Sequence, residues 1–80
     1  MSDTLERVKK ATASLLKIEA ENIADDARFV EDLGADSMQS IELVASFEEE
    51  FDIELDEDEA LKVKTVSDAA NFVDNLLQKK

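Results

Sequence analysis

Apolar residues recur at spacings of three and four through three stretches of the chain and fall out of step between them. Leu5, Val8, Thr12, Leu15 and Leu16 form the first stripe, which predicts an amphipathic helix buried along one face. Asp3 followed by Glu6 has the form of an N-terminal capping box. Lys9, Lys10 and Lys17 lie toward the other end, where cations suit the helix dipole. A second helix is predicted over Ser37 to Phe51, with Asp36 as N-cap and Gln39 completing another capping box. Its predicted inward stripe is Ile41, Val44, Phe47 and Phe51, with Leu43 beside it and Met38 and Ala45 toward its edge; Glu42, Glu48, Glu49 and Asp52 fall on other faces. Glu57 to Lys62 is read as a short third helix. Thr65, with Asp68 three residues on, caps a final one, whose apolar face is Val66, Ala69, Ala70, Val73, Leu76 and Leu77 with Phe72 flanking.

Periodicity fades from about Ile18 to Asp36, where Ile23, Phe29 and Leu33 are the expected anchors to the core and Asp25-Asp26 a short turn. A structureless stretch of this length in a small domain tends to be functional. It ends near Gly34, the only glycine, where a turn calls for positive φ or close backbone approach. Phe51-Asp-Ile-Glu-Leu55 alternates like a strand but has no partner run to pair with. The expected fold is therefore all-α: a small four-helix bundle of three main helices and one short one, with a long first loop.

Eighty residues suit a single domain spanning residues 1–80. There is no cysteine, hence no disulfide framework and no thiolate metal site. No apolar run approaches the ~20 residues of a membrane span. The N-terminus lacks the basic and apolar regions of a signal peptide, which makes the cytoplasm the default location. Charge changes the picture most. The chain carries 21 acids against 9 bases, a net −12, and from Phe29 to Leu61 thirteen acids stand without one Lys or Arg. Nucleic acid is excluded as a partner by its phosphates. An acidic face attracts basic protein surfaces and steers encounter more than it tightens binding. Repulsion within the run is expected to raise carboxylate pKa values and to lower stability at neutral pH, so added salt or magnesium should raise the melting temperature.

Most catalytic constellations fail on inventory. Without His or Cys there is neither a Ser-His-Asp triad nor a thiol nucleophile, and one Gly cannot make a phosphate-cradling loop. Asp52, Glu54, Asp56 and Asp58 are spaced like calcium ligands, but Glu57 stands where the loop needs Gly and Val63 where it needs a bidentate Glu, so no specific metal site is expected. Ser37 remains. A serine at a helix start is most often a cap or an ordinary exposed residue. Here Asp36 can cap in its place, the helix N-terminus favours an attached phosphate, and an acidic helix begins at the same point for a partner enzyme to grip. These features suit a modified serine without identifying the modification.

Residues 33–55, LGADSMQSIELVASFEEEFDIEL, together with the closing TVSDAANFVDNLL, resemble the acyl carrier proteins over nearly the whole chain. The resemblance implies that Ser37 receives a 4′-phosphopantetheine arm from coenzyme A, through a phosphopantetheinyl transferase. The arm's thiol then carries acyl groups as thioesters between enzymes of fatty-acid or related lipid and polyketide synthesis. It implies a non-catalytic, monomeric carrier that serves acyl transferases and ketosynthases through their basic docking patches. The matching contact positions are Asp36, Glu42, Glu48, Glu49 and Glu57, with Met38, Ile41 and Ala45 as apolar positions beside the arm. The family also holds its acyl chain within the bundle; Phe47, Leu55, Ala60, Leu61, Val63 and Ala69 are the candidate liners here, with ordinary core the competing reading for each. Met38, Gln39 and Asp56 depart from the residues common in the family and point toward a specialised carrier as an alternative to a housekeeping one. Two further readings are an acidic interaction module or nucleic-acid mimic with unmodified Ser37, and a cation-binding sensor.

Overall fold

A computed structural model describes residues 3–78. Helix α1 spans Asp3–Leu16, α2 Ser37–Phe51, α3 Glu57–Leu61 and α4 Val66–Gln78, with a single 3-10 turn at Ala20–Asn22 in the long first loop. The fold is a small all-α bundle with no strand among the described residues. The alternating segment after Phe51 is extended connection, as the lack of a partner run requires. Helix α1 packs against both α2 and α4, and α3 packs chiefly against α2.

The core follows the periodic stripes with one correction. Val8 and Thr12 from α1 and Val66, Ala69, Ala70 and Val73 from α4 are buried, and the Thr12 hydroxyl donates to the Val8 carbonyl at 2.8 Å. On α2 the buried residues are Leu43, Phe47 and Phe51, while Val44 is half-buried and Ile41 is 48% exposed. The inward face is thus rotated from the predicted one. Both stripes bury the two phenyl rings; Leu43, Phe47 and Phe51 recur at i, i+4 and i+8, and packing against the neighbouring elements takes Leu43 inward in place of Ile41. Leu76 and Leu77, at the end of the α4 stripe, are half-buried.

Helix ends follow local chemistry. Asp3 is the first residue of α1, not the cap before it, and the cap position lies outside the described residues. Lys17, at φ 60°, turns the chain after α1 so that the Ile18 N–H reaches the Ala13 carbonyl at 3.0 Å, a Schellman ending built without glycine. Asp52, at φ 54°, does the same for α2. The Thr65 hydroxyl accepts the Asp68 N–H at 3.1 Å, as its spacing predicts. Helix α3 begins behind Asp56, whose carboxylate accepts the Asp58 N–H at 3.0 Å, and ends one residue earlier than predicted, with Lys62 as its C-cap.

The long loop is tied down. Ile23 and Phe29 are buried and Leu33 partly so, as expected; Ala27 and Ala35 are also buried, and Asp25-Asp26 forms a turn. The loop meets the α3–α4 connection through an isolated antiparallel bridge at Arg28 and Thr65. There the Phe29 N–H donates to the Lys64 carbonyl at 3.0 Å and the Val66 N–H to the Ala27 carbonyl at 2.9 Å. Side chains add Lys9–Asp25 between α1 and the loop. Arg7 donates to the Glu50 carboxylate at 2.8 Å and lies 4.4 Å from the centre of the Phe51 ring, joining α1 to the end of α2.

Candidate functional site

Gly34 adopts φ +78°, with open space where a Cβ would project, so conformation and not crowding selects glycine there. Its N–H donates to the Val30 carbonyl at 3.1 Å and the Ala35 N–H to the Phe29 carbonyl at 2.9 Å. The loop thereby folds back on itself, buries Ala35 and delivers Asp36 to the start of α2.

Asp36 closes the capping box read from the sequence. Its carboxylate accepts the Gln39 N–H at 2.8 Å, and its own N–H donates to the Gln39 side-chain oxygen at 3.1 Å. The cap is therefore occupied by Asp36, and Ser37, the first helical residue, is exposed. The first turn of α2 holds no acid, whereas those of α1, α3 and α4 all do. In a chain of net charge −12, this helix start is the one least hostile to a phosphate: N–H groups and the dipole point outward from a first turn without a carboxylate.

The outer face of α2 carries Met38, 69% exposed, with Ile41, Glu42, Ala45 and Glu49 also exposed. Apolar and acidic side chains share one helical face, as i, i+3, i+4 and i+7 spacing dictates. Glu57, at the start of α3, is exposed as well. Glu48 differs: it is half-buried and its carboxylate accepts the Leu55 N–H at 2.8 Å.

Behind this face lies a cavity of about 110 Å³. All six residues singled out from the sequence, Phe47, Leu55, Ala60, Leu61, Val63 and Ala69, line it. Sequence reasoning missed Phe29, Val30, Glu31 and Lys64, which the loop and the α3–α4 connection bring to the lining, and Ser40, Leu43, Val44, Phe72 and Val73 from α2 and α4. The Phe29 and Phe47 rings stand 6.3 Å apart at 49° within the lining. Ser37, Ser40 and Val44 follow one edge of α2, so the exposed serine lies one turn, ~4.5 Å of helix rise, from a cavity-lining residue.

A protein-family model described as "Phosphopantetheine attachment site" matches residues 6–73. The chain belongs to this phosphopantetheine-attachment family. Its members bear 4′-phosphopantetheine covalently on a serine, and they are carrier domains that meet phosphopantetheinyl transferases and synthase enzymes. The residues present fit such a group: an exposed serine at the start of a 15-residue helix, its capping role taken by the preceding aspartate, and no carboxylate in the first turn. No described helix is long and apolar enough to cross a membrane.

Within the acidic run, Asp32 moves opposite to the rise expected from repulsion. Asp32 is held below the ordinary carboxylate range by the Arg28 backbone N–H, at 2.9 Å, and then by the Arg28 side chain, against a smaller opposing effect of desolvation. Arg28 is correspondingly raised by Asp32 and Glu31. Hydrogen bonds from Arg28, just outside the run that begins at Phe29, thus lead the shift, with its positive charge adding to them.

Proposed function

We propose that Ser37 is the serine that bears 4′-phosphopantetheine, and that this chain is a non-catalytic acyl carrier forming one domain. The observation that carries the reading is the exposure of Ser37 at the start of α2, with Asp36 already capping, inside the matched family span. The Ser37 hydroxyl oxygen attacks the pyrophosphate of coenzyme A; its proton leaves to a base on the transferase, the new P–O ester forms, and the adenosine bisphosphate half departs. The arm then supplies the thiol that the chain itself lacks. The acidic and apolar face of Asp36, Met38, Ile41, Glu42, Ala45, Glu48, Glu49 and Glu57 meets basic patches on the transferase, acyl transferases and ketosynthases of fatty-acid or related synthesis. Surface charge of this kind gives rapid encounter and modest affinity, as a shuttle requires. The cavity lined by Phe47, Leu55 and Leu61 shelters the acyl chain.

Intact mass after incubation with a phosphopantetheinyl transferase and coenzyme A tests the assignment. Wild type should gain one phosphopantetheine and Ser37→Ala none. No gain in wild type would return the chain to the class of unmodified acidic interaction modules, and equal gain in the variant would place the arm on a residue other than Ser37.

A further inference from the structure

Of the acids on α2, Glu48 is the one whose carboxylate bonds forward into the segment leading to α3. Three ties converge on this residue. Its carbonyl accepts the Asp52 N–H as the helix ends and the Ile53 N–H at 3.1 Å, and its carboxylate accepts the Leu55 N–H at 2.8 Å. Together they fix the left-handed turn at Asp52 and the path of the chain to the Asp56 cap. That path matters because, apart from the Phe29–Lys64 hydrogen bond beyond its other end, α3 is weakly anchored. It is five residues long, none of its residues is buried, and it packs chiefly against α2. Yet Leu55, Ala60 and Leu61 form one wall of the cavity. The wall is thus hung from α2 by a turn that the Glu48 backbone carbonyl begins and its carboxylate extends to Leu55.

We propose that Glu48 is a positioning residue whose carboxylate, by accepting the Leu55 N–H, holds the α3 wall of the cavity closed. The inference rests on the reading of that cavity as the shelter for the cargo chain. It gives Glu48 an inward role that the exposed Glu42 and Glu49 do not share. What the role requires is a hydrogen-bond acceptor; the charge strengthens the bond but a neutral amide oxygen of the same reach can replace it.

Two readouts on the full chain separate the cases. The first is amide exchange in the unloaded protein at Ala60 and Val63, which bond within and just beyond α3 and not to Glu48. Glu48→Ala should accelerate both by about tenfold or more relative to the Val73 amide, the factor expected for losing a charge-assisted hydrogen bond. Glu48→Gln should restore most of the protection. Glu54→Ala, which removes an exposed charge from the same turn, should leave it at the wild-type value. The second is the rise in melting temperature on loading an octanoyl-phosphopantetheine arm, measured against the arm alone. Glu48→Ala should lose at least half of that rise and Glu48→Gln should keep it. Unchanged exchange at Ala60 and Val63 in Glu48→Ala, or Gln behaving like Ala, overturns the proposal. If wild type itself shows no rise on octanoylation, the shelter reading fails, while the exchange experiment still decides whether Glu48 holds α3.

Discussion

The two flanks of this small bundle are built from the same residue types and behave differently. On the side where α1 meets α4, Val8, Thr12 and Val66 are 0% exposed. On the side where α3 lies over α2, Leu61 is 42% exposed and no α3 residue is buried. Valine, leucine and alanine make a solid interior where long helices converge and a cavity where a five-residue helix stands in for a long one. The lesson is that the yielding part of the molecule is set by element length, not by composition. The exposed serine sits on the seam, at the start of the helix that belongs to both sides.

The sharpest way to break this contrast is a pair of truncations. Val8→Ala should destabilise by about 2 kcal/mol or more, lowering the melting temperature by roughly 10 °C. Leu61→Ala should cost under ~1 kcal/mol, because much of its side chain is already in water. Equal losses in thermal denaturation would mean that α3 is as firmly packed as α1.

Gly34 probes the seam itself. Gly34→Ala should cost about 1 kcal/mol through the left-handed backbone alone, and Gly34→Asn, which tolerates that conformation, should recover part of it. If Asn proved no better than Ala in chemical denaturation, an unfavourable contact would have to be responsible, and the open space beside the residue argues against one.

The smallest effect concerns Asp32. Its folded-state pKa lies below the unfolded one, so its contribution is complete above the unfolded value, near ~4, and is lost as pH falls through the lower folded value. Asp32→Ala should therefore lower the melting temperature slightly at neutral pH, with the difference from wild type closing in strong acid. A difference independent of pH would show that the side chain acts by packing.

The local features were legible in the sequence. The Asp36–Gln39 capping box, the Thr65 cap and the α4 stripe each depend on residues within a few positions of one another, and the structure repeats them. The recognisable motif around Ser37 is also local, which is why the family could be read from it. The orientation of α2 was read with a twist: Ile41 and Val44 satisfy a helical stripe as well as Leu43 and Phe51 do, and only the neighbouring helices decide between them. The bond from Glu48 to Leu55, the Arg7 bridge to Glu50 and Phe51, and the arrival of Phe29 and Lys64 in the cavity lining were not legible. Each joins residues whose separation in sequence carries no periodic signal.

The bridge between the long loop and the α3–α4 connection has a kinetic consequence. The helices it links are local structures that form early, whereas the Ala27–Val66 and Phe29–Lys64 hydrogen bonds join distant parts of the chain. Closing so long a loop is entropically unfavourable until the flanking helices already stand in place, so these bonds form late on the folding path. A change that weakens them should steepen the loss of the native state, speeding unfolding while leaving the folding rate nearly untouched, and the two arms of a chevron plot would separate the two rates. The lifetime of the folded carrier is then set in part at a short two-bond seam, whose residues Ala27, Phe29 and Val66 also belong to the core.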